Sequence, residues 1–122
     1  MRAAPEGYHT LTPRILLERP ADVAPLVEFL RATFGATGEV PEGRPAEIRI
    51  GDSLLMISST DLREPAAAFL YVYVDDADAT YAQAISGGAS SLEKPLSTPY
   101  GDRRAMVRDP WGNTWQIASR VS

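Results

Sequence analysis

An eight-residue match between the two halves of the chain is the feature that most constrains the fold. The segment GDSLLMIS (51–58) aligns without a gap on GNTWQIAS (112–119), which lies 61 residues further on. Each half also shows the pattern of a strand, then a helix, then further strands, and a repeat of this size indicates a duplicated supersecondary unit. We therefore predict one domain over 1–122, made of two βαβββ repeats at about 10–60 and 67–119.

The first half carries clear start and stop signals. A strand is predicted at 13–18, followed by a helix with Asp22 as N-cap, Pro25 in its first turn and Gly35 at its end. Apolar residues recur at helical spacing and predict one buried stripe: Val23, Leu26, Val27, Leu30 and Phe34. Beyond a polar link at 38–45, the segments AEIRIG and SLLMIS flank Gly51-Asp52, which is a hairpin signal.

The second half repeats this order. FLYVYV (69–74) alternates as a strand, a short helix is predicted at 79–86, and Gly88 ends it. RRAMVR (103–108) and TWQIAS (114–119), separated by DPWGN, predict a second hairpin. The fold class is therefore α+β: two βαβββ repeats form a curved mixed sheet with the helices outside, and the free sheet face forms a cup.

Strand alternation predicts which side chains point into that cup. The aliphatic residues of each strand suit the helix-packed face, so their neighbours take the other face. The side chains assigned to the cup are Glu47, Arg49, Phe69, Tyr71, Tyr73, Arg104, Met106 and Arg108. Tyr100 and Trp111 lie in turns and are predicted at its rim, whereas Trp115 is predicted in the core. The same aromatic face could equally be the core of a dimer interface.

Composition excludes several classes of protein. With 44% hydrophobic residues the chain is typical of a globular protein, and the absence of cysteine excludes disulfides and Cys-based catalysis. A net charge of −4 argues against nucleic-acid binding. The longest apolar run, 66–74, is far shorter than the ~20 residues of a membrane span, and the N-terminal segment has no apolar leader. We expect a cytoplasmic protein, with Arg103, Arg104 and Arg108 on a solvated edge beside paired acids.

The order of these elements, together with AEIRIGDSLLMISS and YGDRRAMVRDPWGNTWQIA, resembles the vicinal oxygen chelate superfamily. This superfamily includes glyoxalase I, extradiol dioxygenases and bleomycin-resistance proteins, and the similarity is greatest to its PhnB-like branch. The resemblance runs from about Tyr8 to Ser119. It implies the cup fold, whereas function varies widely on this fold.

The resemblance also implies where a metal would bind in a metal-dependent member. The ligand positions fall near Ile15, at Phe69, at Leu55 or Met56, and at Gln116. None of these side chains offers an imidazole or a carboxylate, and the Gln116 amide is neutral where a catalytic member would carry an anionic ligand. We therefore predict no metal and no cofactor.

Other chemistries receive little support. The single histidine, His9, precedes the expected ligand position and is interpreted as a packed or exposed residue. Asp52, Asp75, Asp76, Asp102 and Asp109 are assigned to turns, where aspartate caps the backbone. Glu47 lies close to Arg49, and pairing would lower its pKa and weaken it as a base.

The leading hypothesis is a metal-free homodimer whose cup binds a planar, partly aromatic small molecule, by sequestration as in bleomycin-resistance-type proteins. The residues assigned to ligand binding are Glu47, Arg49, Met56, Phe69, Tyr71, Tyr73, Tyr100, Arg104, Met106, Trp111 and Gln116. The alternative is a metal-dependent lyase, isomerase or dioxygenase of the same superfamily. A third hypothesis is a structural or regulatory domain whose aromatic face is closed by a second subunit. Neither nucleic acid nor membrane is expected as a partner.

Overall fold

The computed structural model of the protein describes residues 3–60 and 63–121. The prediction of one domain over 1–122 therefore includes five residues outside the described part of the chain. The chain divides into two compact units. One comprises the residues up to Arg31 together with Gly35–Ala66, and the other comprises Ala32–Phe34 together with the chain from Ala67 onward.

The first unit contains a three-stranded sheet. Its elements are β1 (Arg14–Leu17), a short 3-10 helix (Pro20–Asp22), α1 (Val23–Phe34), β2 (Ala46–Ile50) and β3 (Ser53–Ser59). The strand order is β1-β3-β2, with β1 parallel and β2 antiparallel to β3. The predicted Gly51-Asp52 hairpin is confirmed, since Ile50 pairs with Ser53 across it.

The first unit has one strand fewer than the full βαβββ repeat. Between α1 and β2 the chain forms only an isolated bridge, in which Thr37 and Arg49 exchange backbone hydrogen bonds of 3.0 and 2.9 Å. The segment that follows, 38–45, contains Pro41 and Pro45, which lack the N–H that a sheet ladder requires. An irregular segment therefore replaces the fourth strand.

Helix α1 begins and ends at the predicted cap residues, but its N-cap makes no side-chain hydrogen bond to the helix. Gly35 adopts the left-handed conformation, with φ 67°, and its N–H donates to the Arg31 carbonyl oxygen, which closes the helix. Asp22 holds the N-cap position, yet its carboxylate accepts from the Arg19 guanidinium and makes no side-chain cap bond. The predicted apolar stripe is buried at Val23, Leu26, Val27 and Leu30, and Phe34 is half-buried.

The second unit contains a four-stranded sheet. Its elements are β4 (Phe69–Tyr73), α2 (Ala77–Ser86), β5 (Ser90–Ser97), β6 (Asp102–Arg108) and β7 (Thr114–Arg120). The strand order is β4-β7-β6-β5. The sequence pattern missed β5, because SSLEKPLS contains a proline and does not alternate. Such a segment is tolerated at a sheet edge, and its pairing with β6 is interrupted by two register shifts.

One face of this second sheet is covered and the other is open. Helix α2 contacts β5, β6 and β7. Ala105 and Val107 of β6 are fully buried, as predicted, and so are Trp115 and Ile117 of β7. Two mixed sheets with two helices confirm the predicted α+β class. Among the described residues, neither helix is long and apolar enough to cross a membrane.

Candidate ligand-binding face

The open face of the four-stranded sheet carries three rows of side chains that run across the strands. In the middle row Tyr71 pairs with Gln116, which pairs with Met106. A second row contains Tyr73, Ala118 and Arg104. The third row contains Phe69, Thr114 and Arg108. Residues two apart on a strand share a face, so these side chains form one continuous surface, which we call the open face.

A buried carboxylate lies at one end of the open face. Asp102, the first residue of β6, is 1% exposed. Its Oδ2 accepts hydrogen bonds from the Tyr71 hydroxyl at 2.6 Å and the Tyr73 hydroxyl at 2.8 Å. Its Oδ1 accepts from Arg120 Nη1 at 3.0 Å. Three donors from two neighbouring strands therefore compensate one buried negative charge.

The assignment of Asp102 to a capping turn is thus wrong. The sequence interpretation began the strand at Arg103, one residue too late. Had the strand started at Asp102, the alternation would have placed this side chain on the same face as Arg104 and Met106. The other turn assignments that the structure resolves are confirmed, since Asp76 accepts from Ala79 N and caps α2, and Asp109 accepts from Trp111 N.

This network changes the acidity of its members. Burial and the hydrogen bond to Asp102 raise the pKa of Tyr71 above the ordinary tyrosine value. For Tyr73 the order of causes is reversed, because the hydrogen bond to Asp102 comes before burial in raising its pKa. Hydrogen bonds to Asp102 hold its pKa below the ordinary value, although burial acts in the opposite direction. The largest contribution comes from the Tyr71 hydroxyl, and smaller ones come from the Tyr73 hydroxyl and the Arg120 guanidinium.

These causes predict different responses of the two tyrosines when the charge is removed. In the Asp102→Asn variant we expect the pKa of Tyr73 to fall back towards its ordinary value of about 10. The pKa of Tyr71 is expected to stay higher, because burial is its leading cause. Phenolate absorbance during an alkaline titration measures both, with Tyr71→Phe and Tyr73→Phe variants assigning the two transitions. Equal shifts of the two residues would contradict the assigned causes.

Two of the three predicted arginines near this face are paired, whereas Arg108 is exposed and forms no ion pair with any residue in the described ranges. Arg104 donates to Glu93 Oε1 at 2.7 and 3.2 Å and to the Tyr100 hydroxyl at 2.9 Å. Arg103 forms a bidentate pair with Asp78, with distances of 2.9 and 3.1 Å. The guanidinium of Arg104 is therefore already engaged by a carboxylate of its own sheet.

The remaining predicted residues of this unit are open to solvent to different degrees. Phe69 is 68% exposed and Tyr100 is 51% exposed, at opposite ends of the open face. Trp111 is half-buried in the turn between β6 and β7, near the Phe69 end. Gln116 is half-buried in the middle row, and its amide has no hydrogen-bond partner among residues 3–60 and 63–121.

The first unit carries the other three predicted residues. Glu47 pairs with Met56 across β2 and β3, and Arg49 lies two residues further on the same face. The nearby Glu47 carboxylate is the main cause that raises the pKa of Tyr8 above its ordinary value. His9 is exposed, with its Nε2 3.3 Å from the Asp52 carbonyl oxygen, in agreement with the exposed position predicted for it.

The register decides between Leu55 and Met56 as the counterpart of Gln116. Leu55 is only 4% exposed and pairs with Ile48 in the core, whereas Met56 is half-buried and pairs with Glu47. Two residues separate β2 from β3, but five separate β6 from β7. Aligning the turn glycines therefore displaces the strands by one residue, which inverts their faces. The sequence had left the two residues open and had assigned Met56 to ligand binding.

The register also specifies the position on the first strand, which the sequence placed near Ile15. Ile15 is fully buried, and its neighbour Arg14 is the residue that pairs with Met56. In the second unit the partner of Gln116 on the first strand is Tyr71, two residues beyond Phe69. The positions that correspond in register are therefore Arg14 and Met56 in one sheet, and Tyr71 and Gln116 in the other.

The side chains at these positions do not fit a divalent metal. A guanidinium repels a cation, a thioether is a soft ligand, and a phenol with a raised pKa does not become an anionic donor near neutral pH. Across the described ranges, no group of three or more His, Cys, Asp or Glu side chains is placed to hold a metal ion. The donor chemistry of these residues therefore gives no route to metal-assisted catalysis.

Two mixed sheets, each with a parallel first strand and an antiparallel hairpin, define the α+β fold of the glyoxalase class. The chain belongs to the Glyoxalase/Bleomycin resistance protein/Dioxygenase superfamily, whose sequence profile matches residues 17–117. The predicted superfamily is thereby confirmed. No curated protein matches the chain in sequence.

Solved structures show the same fold. TioX from Micromonospora sp. ML1 is 20% identical, with a TM-score of 0.72 over 90% of this chain and 98% of that one. A glyoxalase/bleomycin resistance protein/dioxygenase family enzyme from Burkholderia phytofirmans PsJN is 19% identical, with a TM-score of 0.73 over 88% and 94%. A gene product of Arabidopsis thaliana is 22% identical, with a TM-score of 0.72 over 91% and 98%. At these identities the similarity concerns the fold and not the activity.

Proposed function

We propose that this chain is a metal-independent small-molecule-binding protein that holds a planar, partly aromatic ligand on the open face. The single observation that carries the proposal is the row of exposed aromatic rings along β4, from Phe69 through Tyr71 to Tyr73. Large aromatic side chains left in contact with water are unusual unless they meet a partner. Their few rotatable bonds make them efficient stacking surfaces.

The hydrogen-bond network fixes this surface before a ligand arrives. The rings of Tyr71 and Tyr73 lie 5.3 Å apart at a tilt of 57°, and both hydroxyls are bonded to the same carboxylate oxygen. Neither ring can rotate away without breaking a bond to a buried charge. A preorganised surface loses less conformational entropy on binding, which favours a rigid, planar ligand.

The charges at the Asp102 end of the face are compensated, which favours a ligand without net charge there, while the unpaired Arg108 lies at the Phe69 end. Asp102 is compensated by Arg120, and Arg104 is compensated by Glu93. The Gln116 amide in the middle row still has a donor and an acceptor available. A planar ligand whose edge carries one acceptor and one donor, such as a lactam or a carboxamide, would pair with it.

The proposal that binding needs no metal is based on the side chains of Arg14, Met56, Tyr71 and Gln116. A chelate mechanism requires oxygen or imidazole ligands that hold a Lewis acid, and these side chains supply none. Membership of the PhnB-like branch, a cytoplasmic location, a homodimeric state and a biological role in sequestering a drug-like compound are further parts of this proposal. Tyr100, Met106 and Trp111 remain proposed contacts of this ligand, and Glu47, Arg49 and Met56 remain proposed ligand-binding residues of the first unit.

Native mass spectrometry of the protein purified without chelator tests the metal and subunit parts together. We expect a dimer at the bare polypeptide mass, or a dimer with an organic adduct. Metal content measured by inorganic mass spectrometry provides the control, since a divalent ion at one equivalent per chain would overturn the proposal. That result would instead favour a metal-dependent lyase, isomerase or dioxygenase.

Replacing Phe69 with alanine tests the aromatic surface. This ring is 68% exposed, so its removal should leave the fold stable while it lowers affinity for a planar aromatic ligand by about tenfold. Ile85→Ala is the matched control, because Ile85 is a partly exposed apolar residue on α2 of the same unit. Titration calorimetry with hits from a library of neutral heterocycles gives the affinities. Equal losses of affinity in both variants would show that the open face is not the binding surface.

A further inference from the structure

The irregular segment that replaces a strand in the first unit helps to form a cleft. The cleft has a volume of about 520 Å³, which lies within the range of small-molecule sites. Residues 40–45 supply one side of it, and Arg14, Ser58 and Ser59 of the sheet supply another. In the second unit the corresponding stretch of chain forms strand β5. The cleft therefore exists because the two repeats differ.

The charged groups of this cleft are not balanced. Arg14 and Arg44 bring two guanidinium groups and Glu42 brings one carboxylate, so one positive charge is left over. Neither arginine forms an ion pair with any residue in the described parts of the chain. This contrasts with the open face, where Arg104 and Arg120 both pair with carboxylates.

The donors on the cleft wall are also available. Arg14 Nη2 lies 3.3 Å from the Ser58 hydroxyl, a long contact for a hydrogen bond, and the other guanidinium N–H groups remain unused. This places a guanidinium and a serine hydroxyl side by side, an arrangement that suits an oxyanion. The apolar surface around them comes mainly from Pro20, Val40 and Pro41, since Val23 is only 8% exposed and Ile57 is fully buried.

We propose that this cleft binds a small organic monocarboxylate with a compact aliphatic body. The carboxylate would lie against the two guanidinium groups, whose planar forks match its geometry. The aliphatic part would contact the apolar wall. A dianionic phosphate is disfavoured, because the Glu42 carboxylate lines the same cleft and leaves only one positive charge to be neutralised. The site lies in the first unit and does not rest on the function proposed for the open face.

The test uses three probes that share one hydrocarbon body: cyclohexanecarboxylate, cyclohexanecarboxamide and cyclohexyl phosphate. Each is titrated into the full chain while amide NMR shifts are recorded. We expect the carboxylate to shift the amides of Val40, Gly43, Arg44 and Ser58. It should bind about tenfold more tightly than the neutral carboxamide, because charge-assisted hydrogen bonds are lost in the latter.

Two variants and one control test which arginines bind the carboxylate. Arg14→Gln and Arg44→Gln should each weaken carboxylate binding by about fivefold or more. Arg63→Gln removes the same charge from an exposed residue of the same unit that does not line the cleft, and it should leave affinity unchanged. Circular dichroism verifies that each variant is folded.

Four results would overturn the proposal: equal binding of the carboxamide, tighter binding of the phosphate, equal weakening by Arg63→Gln, or no shift at the cleft amides. None of these results bears on the Phe69→Ala experiment, which concerns the other unit. Conversely, rejection of the aromatic-ligand hypothesis would not affect the prediction that this cleft prefers a carboxylate.

Discussion

Replacing Asp102 with asparagine is expected to lower the melting temperature by about 5 °C or more. The Asp102 carboxylate is buried and accepts from three donors, the hydroxyls of Tyr71 and Tyr73 and the guanidinium of Arg120. Asparagine keeps one acceptor oxygen but turns an amide donor towards groups that are themselves donors. Arg120 also loses its ion-pair partner. Thermal unfolding followed by circular dichroism measures the effect.

The matched control is Asp78→Asn. This substitution removes a bidentate ion pair with Arg103, but that pair lies at the surface, where 54% of the Asp78 side chain is exposed. Exposed ion pairs contribute little to stability, so a change of at most a few degrees is expected. Equal effects of the two substitutions would show that burial of Asp102 does not decide its contribution.

The pH dependence of stability should follow the same group. Because the pKa of Asp102 is lowered in the folded state, its contribution is fully present above the ordinary aspartate value of about 3.9. It is lost as the pH falls through the folded value. The raised pKa values of Tyr71 and Tyr73 act at the other extreme, since their contribution is complete below about pH 10 and is lost above it. Asp102→Asn should flatten the acid limb of the stability profile.

Replacing Trp115 with alanine is expected to lower the free energy of unfolding by about 3–5 kcal/mol. Trp115 is 1% exposed, and its ring lies 5.4 Å from that of Phe34. Its Nε1–H donates to Asp109 Oδ2 at 2.9 Å, and Asp109 is itself buried. Alanine therefore leaves a cavity and also deprives a buried carboxylate of one donor. Urea denaturation followed by far-ultraviolet circular dichroism gives the free energy.

Two further substitutions separate the cavity from the hydrogen bond. Trp115→Phe keeps most of the ring but loses the N–H, and a loss of about 1–3 kcal/mol is expected. Trp111→Phe changes the other tryptophan of the chain, which is half-buried in a turn, and should cost less than about 1 kcal/mol. Comparable losses at the two tryptophans would contradict the placement of Trp115 in the core.

Strand alternation predicted much of the candidate site. The exposed positions of Phe69, Tyr71 and Tyr73 follow from a period of two residues, which the backbone imposes on any strand. Alternation also placed Arg104 and Met106 on the open face. It could not show that Arg104 is bonded to Glu93, because β5, the strand that carries Glu93, has no recognisable pattern. The availability of a charged group depends on neighbours that only pairing between strands supplies.

The sequence predicted the duplicated order of elements but not the register of the strands. Matching the turn glycines gave the repeat, yet it left both Leu55 and Met56 open as the counterpart of Gln116. The two hairpin loops contain two and five residues, and a strand register shifted by an odd number of residues exchanges the two faces of a strand. The cleft beside Arg14 and Arg44 was likewise not predicted, because it follows from the absence of a strand that the repeat led one to expect.

The sequence by itself determined the superfamily, the α+β class, the ends of α1 and the hairpins, and the lack of metal-ligating side chains at the expected positions. These depend on turn chemistry, periodicity and residue type, which are local properties. Only the tertiary structure decided that Asp102 is buried beneath two tyrosines and that its charge is compensated by Arg120. These partners lie 31, 29 and 18 residues away in the chain. Strand pairing joins them, and the energy of a buried charge depends on every neighbour that pairing supplies.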